Sequence, residues 1–339
     1  MPYPLPTYQA PRWLRGAHLE TIYPALALKQ PPPAYRREIW NSPDGDEIAV
    51  DWLNGPQRAN QPLLVHFHGL EGSSASHYAS ALMHAVKARG WQAAVAHFRG
   101  CGGHRNRRPR AYHAGDSAEI DWILRRFRAG HRGPLYVAGV SLGGNALAKW
   151  AGEQGAAAAQ TADAIAVISA PLDLNAAGKV LDRGLNRAIY TRNFLQTLRP
   201  KTLAHLAAFE QELAFLQVEP RDIRAARTFR EFDERVTAPL HGFAGAHDYW
   251  SKSSSKPLLR HIAIPALVIN ARNDPFLPAS ALPGAQDVSS MVQLLQPEHG
   301  GHVGFTEGSF PGQLSWLPRC LLQFFDSIGG PAAAQRDPA

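Results

Sequence analysis

Short apolar runs alternate with helical patterns along most of the chain. Most of these runs are continuously apolar, which is typical of strands in a parallel sheet covered on both faces. The turn sequence PDGD separates the first two runs and predicts a β-hairpin. The eight predicted strands are, in order, REIWNS, EIAVDWLN, PLLVHFHG, QAAVAHFRG, PLYVAGVS, AIAVISAP, PALVINARND and MVQLLQPEHG.

Helical patterns occupy the segments between these strands. They predict helices over about 78–89 and 116–129, after Ser141, and over LPRCLLQFFDSI near the end of the chain. Alternation of this kind predicts an α/β fold, in which a mostly parallel eight-stranded sheet carries helices on both faces.

One long segment, 172–249, breaks the alternation because it contains helical patterns and no strand pattern. We predict a helical cap insertion over the carboxyl edge of the sheet, with an ordinary set of packing helices as the alternative. The core then comprises 1–171, which includes an N-terminal arm over 1–35, and 250–330. We expect 331–339 to be a disordered tail.

Composition narrows the class of protein. Of 339 residues, 45% are hydrophobic and 19% are charged, as in a globular chain. The sequence opens without the pattern of a signal peptide, and its apolar runs are shorter than the roughly 18–20 residues of a membrane helix. Cys101 and Cys320 are too few for a disulfide framework. We therefore expect a cytoplasmic protein with at most peripheral membrane contact.

The net charge of +7 comes partly from an arginine cluster in RGCGGHRNRRPRAYHAG. This cluster lacks the interleaved aromatic residues of a single-strand binder, so we predict no nucleic-acid partner. It follows the fourth strand and should lie at the carboxyl edge of the sheet, where ligands bind. Arg99 or Arg110 would then hold an anionic substrate group; alternatively, these arginines fix the loop through carboxylate and carbonyl contacts.

The strongest local motif is Gly139-Val140-Ser141-Leu142-Gly143, a G-x-S-x-G sequence between a predicted strand and a helical run. A sharp strand-to-helix turn holds such a serine in strained geometry, and the flanking glycines let neighbouring backbone approach closely. The helix behind Ser141 directs free N–H groups at any anion that forms there. We predict that Ser141 is a catalytic nucleophile.

A serine nucleophile needs a general base, and the base needs an orienting acid. In this architecture the acid and then the histidine follow the serine, each after a later strand. We favour Asp274 as the acid, because the turn Asn273-Asp274-Pro275 ends its strand sharply; Asp173, after the preceding strand, is the alternative. Of the two histidines in PEHGGHVGF, position favours His302, which lies deeper in the loop, over His299.

An oxyanion hole requires two backbone N–H groups. One is expected from Leu142, directly after the nucleophile. The other is assigned to Leu70, in the glycine-rich stretch HGLEG after the third strand. His68 in the same stretch is expected to shape the loop rather than to catalyse.

Two histidine pairs raise a metal site as an alternative. His299-x-x-His302 and His66-x-His68 have ligand-like spacing, but no cysteine or acidic cluster completes a coordination shell near either pair. We predict no metal and no other cofactor. Apolar residues of the predicted insertion suggest an acyl pocket or, alternatively, a core between helices: Phe194, Leu195, Phe209, Phe215 and Leu216.

Six motifs are spread over nearly the whole chain: HLETIYPAL, HGLEGSSASHY, FRGCGGHRNRRPRAYHAGDSAEI, GVSLGGNAL, NARNDPF and HGGHVGF. Together they resemble the YheT-type α/β-hydrolases, a bacterial branch related to the animal ABHD lipases. The resemblance implies a triad of Ser141, Asp274 and His302, with His299 a bystander. It also implies carboxylesterase or lipase activity on substrates such as acylglycerols and phospholipids. The animal relatives carry an N-terminal membrane anchor that this sequence does not show.

The sequence thus predicts a serine hydrolase that cleaves carboxylic esters through an acyl-enzyme. The expected substrate is a small acyl ester of short to medium chain length, or a lipid such as an acylglycerol or phospholipid. Acyl transfer or thioester cleavage by the same triad, and a non-catalytic binding protein on the same fold, are the alternatives.

Overall fold

The computed structural model describes residues 3–53, 55 and 60–328, so the predicted tail at 331–339 lies outside the described residues. An eight-stranded sheet forms the centre of the molecule, as the apolar runs predicted. Its strands are β1 (Tyr35–Asn41), β2 (Glu47–Leu53), β3 (Leu63–Phe67), β4 (Gln92–Ala96), β5 (Leu135–Val140), β6 (Ala164–Ile168), β7 (Ala266–Ile269) and β8 (Val292–Leu295).

The strand order in the sheet is β1-β2-β4-β3-β5-β6-β7-β8. β1 pairs with β2 in an antiparallel hairpin, as PDGD predicted, and β2 pairs with β4 in the same sense. All other neighbouring strands are parallel. The carboxyl ends of β3 to β8 therefore meet at one edge of the sheet, where the loops that carry the candidate site begin.

Twelve α-helical segments occur in the described residues. The four that cover the sheet are α2 (His77–Ala88), α3 (Ser117–Gly130), α4 (Leu142–Gln154) and α12 (Trp316–Ile328). The N-terminal arm contains α1 (Ala17–Ala27), which periodicity did not predict. The remaining helices lie between β6 and β7: α5 (Leu174–Leu181), α6 (Gly184–Asn186), α7 (Arg192–Ala208), α8 (Pro220–Ala225), α9 (Phe229–Phe232), α10 (Ala238–Leu240) and α11 (Ala246–Ser253).

The hydrophobic core lies on both faces of the sheet. On one face, side chains of α3 and α4 such as Ile123 and Leu147 pack against Val65 of β3. On the other face, α2 and α12 pack against strand residues that alternate with the first set, such as Leu64. Both faces of the parallel strands are thus covered by helices, as continuously apolar strands require. The predicted fold class is confirmed.

The segment between β6 and β7 consists of helices joined by turns and contains no strand. It has a small core of its own, formed by Leu195, Ile223, Ala226, Phe232 and Val236. Its last helix, α11, continues to Ser253 and so crosses the predicted boundary at 249. We refer to residues 172–253 as the helical insertion. Within the described part of the chain, no helix combines the length and apolarity that crossing a membrane demands.

Candidate active site

Ser141 lies at the turn between β5 and α4, in strained geometry with φ 53° and ψ −119°. A Cβ atom at Gly139 would lie 2.6 Å from the carbonyl oxygen of Gly143, and one at Gly143 would lie 2.5 Å from that of His68. Only glycine fits at either position, which is the physical reason for the G-x-S-x-G pattern. The Ser141 N–H donates to the Ile168 carbonyl at 2.8 Å, which ties the turn to β6.

His302 contacts both of the other predicted triad residues. Its Nε2 lies 3.0 Å from Ser141 Oγ, and its Nδ1 lies 2.9 Å from Asp274 Oδ2. The side chain of Asp274 is 1% exposed and that of His302 is 10% exposed. An imidazole held between a serine hydroxyl and a buried carboxylate can accept the serine proton while the carboxylate stabilises the resulting cation.

Phe276 fixes the geometry of this pair from the side. Its ring stacks on that of His302 with centroids 3.8 Å apart and planes 12° apart. Its backbone N–H donates to Asp274 Oδ1 at 2.8 Å, so the second carboxylate oxygen is also occupied. The carboxylate therefore cannot rotate without breaking a hydrogen bond.

The alternative acid and the second histidine have other partners. Asp173 caps α5, where its carboxylate accepts the Ala176 N–H at 3.0 Å. His299 Nδ1 lies 3.1 Å from Glu20 Oε1, and its side chain is 46% exposed. Among the described residues, no three or more His, Cys, Asp or Glu side chains are grouped so that they could hold a metal ion.

The loop after β3 leaves one backbone N–H open. Gly69 donates to Tyr78 Oη at 2.9 Å and Glu71 donates to Tyr112 Oη at 3.0 Å, while the Gly72 N–H closes a turn onto the Gly69 carbonyl. The N–H of Leu70 has no acceptor within the described residues. It lines the same cavity as Ser141 and Leu142.

Leu142 is the first residue of α4, so its N–H is one of the free donors at a helix start. Leu70 and Leu142 thus both offer a donor beside Ser141, which is the arrangement an oxyanion needs.

His68 holds the backbone of this loop through both of its ring nitrogens. It is completely buried, with Nδ1 2.7 Å from the Gly69 carbonyl and Nε2 accepting the Phe98 N–H at 3.2 Å. Burial lowers its pKa well below the ordinary range, because the charged imidazolium would lose its hydration. A neutral ring that donates from Nδ1 and accepts at Nε2 agrees with the expected loop-shaping role.

A largely apolar cavity opens from Ser141 and is roofed by the helical insertion. Phe194 and Leu216 line it, whereas Leu195 is fully buried between helices, Phe209 packs on His205 and Phe215 is 60% exposed. The five apolar residues noted in the sequence therefore divide between a pocket, a helix core and the surface. Further lining side chains include Leu174, Leu181, Leu198, Phe229, Phe232 and Trp250.

The two arginines considered as substrate contacts are both held by carboxylates. Arg99 is 1% exposed and bonds to Glu119, Asp44 and Asp46. Burial acts to lower its pKa, but the bonds and charges of Glu119 and Asp44 outweigh burial and raise it. Arg110 lies 2.5 Å from Asp116. These pairs favour the alternative, in which the arginines fix their loop.

The N-terminal helix α1 holds the histidine loop, a role that sequence reasoning missed. Glu20, which is 2% exposed, accepts the Gly300 N–H at 2.7 Å and the Asn273 amide at 2.8 Å. The neighbouring Thr21 Oγ1 accepts the His302 N–H at 2.9 Å. The only sequence signal of this role is the HLETIYPAL motif. No sequence pattern around a buried helical glutamate identifies the distant residues to which it bonds.

Comparison with known proteins identifies the family of the chain. Residues 62–309 match the family model described as alpha/beta hydrolase fold, and the chain belongs to this family. YheT of Escherichia coli (strain K12), whose name carries a provisional esterase assignment, is 38% identical over 90% of this chain and 89% of its own length. "Phospholipase ABHD3" of Mus musculus is 27% identical over 95% of this chain and 79% of its own.

A solved structure of similar shape is the esterase Pf2001 of Pyrococcus furiosus. It has a TM-score of 0.51 and 13% identity, and the match covers 88% of this chain and 98% of that one. At this identity the likeness establishes the fold alone. The α/β-hydrolase fold and the resemblance to YheT-type proteins are both confirmed.

Proposed function

We propose that this protein hydrolyses carboxylic esters, with Ser141 as nucleophile, His302 as general base and Asp274 as orienting acid. The observation that carries the proposal is the continuous hydrogen-bonded arrangement of these three side chains beside two open backbone donors. The relatives named as an esterase and as a phospholipase support the same reaction class.

Catalysis would begin with attack of Ser141 Oγ on the ester carbonyl. His302 Nε2 takes the hydroxyl proton as the bond forms, and Asp274 stabilises the imidazolium and holds its tautomer. The N–H groups of Leu70 and Leu142 bind the oxygen on which negative charge develops; one such donor contributes on the order of 10²–10³ in rate. His302 then protonates the leaving alcohol.

Water completes the reaction. His302, neutral again after the alcohol leaves, removes a proton from a water molecule that attacks the acyl-enzyme. The second tetrahedral intermediate uses the same two donors and collapses to release the carboxylic acid and Ser141. No group outside this set of five residues is needed for either half-reaction.

The cavity supports an acyl ester or lipid as substrate. Its walls beyond Ser141 are mostly aliphatic and aromatic, so an acyl chain would be transferred from water to an apolar lining. Its polar lining groups include Lys201, Thr202 and His205 of α7 and support a more polar alcohol portion. We propose that the helical insertion acts as a cap that selects the acyl chain, since it supplies Phe194, Leu198 and Leu216.

The proposal is tested with p-nitrophenyl esters from acetyl to palmitoyl, using wild type and Ser141→Ala. We expect a maximum at one chain length and a loss of about 10⁴–10⁶-fold in kcat for the variant. If no ester is turned over while a fluorophosphonate still labels Ser141, the triad serves another acyl reaction, such as acyl transfer or thioester cleavage. If neither occurs, the catalytic interpretation is wrong.

A further inference from the structure

The outward face of α1 is apolar. Leu19, Tyr23 and Leu26 are spaced i, i+4, i+7 and therefore share one face of the helix. Leu19 is 58% exposed and Leu26 is 72% exposed, whereas the polar residues Glu20 and Thr21 are buried. An ordinary surface helix turns its apolar face to the core, whereas α1 buries Glu20 and Thr21 together with Pro24 and leaves two leucines exposed.

The buried polar face has an explanation within the fold, because Glu20 and Thr21 hold the histidine loop. The exposed apolar face has none, since Leu19 and Leu26 belong to no core cluster of the described residues. Exposed apolar residues are normal when scattered singly, but a contiguous patch marks a surface that meets a partner.

Aromatic rings extend this patch beyond the helix. Trp13 makes edge-to-face contacts with Tyr23, at 5.2 Å between centroids, and with Phe310, at 5.4 Å. Phe310 is 73% exposed. The polar ends of the amphipathic rings are tied down, Trp13 Nε1 to the Gly308 carbonyl and Tyr23 Oη to the Pro311 carbonyl. We call Trp13, Leu19, Tyr23, Leu26 and Phe310 the α1 surface.

Unpaired positive charge flanks the residues of the α1 surface in the sequence. Arg12, Arg15 and Lys29 are exposed, and none of them forms an ion pair with an acidic side chain in the described residues. The only acidic residue between 3 and 31 is Glu20, which is buried. The acidic residue nearest in sequence to Phe310 is Glu307, and Arg319 already neutralises it.

We propose that the α1 surface docks on an anionic lipid bilayer. Exposed leucines and aromatic rings beside arginine and lysine are the features by which an interfacial helix inserts its apolar face while its cations meet lipid phosphates. An apolar protein partner would leave the three cations without counter-charges. Because the inner face of the same helix holds the histidine loop, docking brings the candidate active site to the lipid surface.

Flotation with lipid vesicles tests the inference without any use of catalysis. The probes are vesicles of phosphatidylcholine alone and vesicles with about 30% phosphatidylglycerol, the anionic lipid supplying the surface charge. We expect binding to the anionic vesicles that weakens as salt rises from about 0.05 to 0.5 M, because screening acts on the cationic fringe. Leu26→Glu and Leu19→Glu should each weaken binding at least about tenfold.

Ile39→Glu is the matched control. Ile39 is also an exposed apolar residue, at 44%, but it lies on β1, at the opposite edge of the sheet from β8. This variant should bind as wild type does, and all three variants should keep their melting temperatures. Arg12→Glu combined with Arg15→Glu should remove the preference for anionic vesicles while leaving the fold intact.

Three results would overturn the inference: no binding of the wild type to either vesicle, equal loss in Ile39→Glu, or a dimer in vesicle-free light scattering that Leu26→Glu dissociates. The last would assign the α1 surface to a second copy of the chain. Ser141→Ala should bind vesicles normally, so a failure of the proposed ester hydrolysis and a failure of lipid docking are separately visible.

Discussion

The nucleophile turn and the histidine loop are built in different ways. Ser141 is placed by its own strand and helix, by the glycines beside it and by the adjacent strand β6. The loop carrying His302 is instead held by α1, whose Glu20 binds the Gly300 N–H across 280 positions of the chain. The nucleophile is thus placed by local steric constraints, whereas the histidine base depends on a helix that is distant in the sequence.

Substitutions in these two regions should therefore have different effects on the site. A change in the nucleophile turn alters backbone that only small residues can occupy, whereas a change in α1 leaves that turn intact and displaces only the base. A misplacement of about 1 Å can cost on the order of 10²-fold in rate. Substitutions that displace the histidine loop should therefore cause partial losses of activity that grow with the displacement.

Asp274→Asn should lower kcat by about 10⁴-fold, because an amide that donates to Nδ1 favours the wrong imidazole tautomer. Steady-state hydrolysis of the best p-nitrophenyl ester measures the effect. Asp173→Asn is the matched control and should stay within about threefold of wild type, since Asp173 caps α5 instead. Equal losses in the two variants would contradict the assignment of the acid.

Gly304→Ala should lower kcat by about 10²-fold. A Cβ atom there would overlap the carbonyl oxygen of Glu20, so the histidine loop must move away from α1. Gly130→Ala is the control, because a Cβ at Gly130 meets nothing within 4 Å. Kinetics and melting curves of both variants test this; full activity of Gly304→Ala would mean that the loop tolerates displacement.

Glu20→Gln should lower kcat by about tenfold with little change in KM. The amide keeps the size of the carboxylate but replaces one acceptor with a donor. The Gly300 and Asn273 groups donate to Oε2 and the Gly16 N–H donates to Oε1, so one of these two sets of bonds is lost and α1 no longer grips the histidine loop as before. Glu219→Gln, at an exposed site, serves as control. A change confined to KM would indicate that α1 acts on the substrate pocket rather than on His302.

His299→Ala should change kcat by less than about threefold. Its ring is half exposed and contacts Glu20, which keeps its other partners when the ring is removed. His302→Ala, measured in parallel, should lose most activity, as Ser141→Ala does. Comparable losses in the two histidine variants would assign the base to His299 or make the pair act together.

Features with local physical causes could be predicted from the sequence. The eight strands, the hairpin and the helices that cover the sheet follow from apolar periodicity and turn residues. Ser141 and its partners could be proposed because strand ends carry loops to one edge of a parallel sheet. The choice between His299 and His302 rested on position in the loop and on family resemblance.

Features that depend on distant contacts could not be predicted. The residues of HLETIYPAL do not by themselves indicate that Glu20 binds a loop near the end of the chain. The arginine cluster predicts a candidate anion site, yet Arg99 is neutralised by three carboxylates from two other segments, Asp44 and Asp46 of the β1–β2 turn and Glu119 of α3. The apolar residues of the helical insertion divide between cavity, core and surface because adjacent residues of one helix, such as Phe194 and Leu195 of α7, face different directions.

The most direct test of the central claim is covalent trapping of the nucleophile. The protein is treated with a fluorophosphonate, digested, and searched by mass spectrometry for the adduct, in wild type, Ser141→Ala and His302→Ala. We predict a single adduct on the peptide containing Ser141, absent in Ser141→Ala and formed much more slowly in His302→Ala. An adduct on another serine, or ester hydrolysis that persists undiminished in Ser141→Ala, would contradict the account.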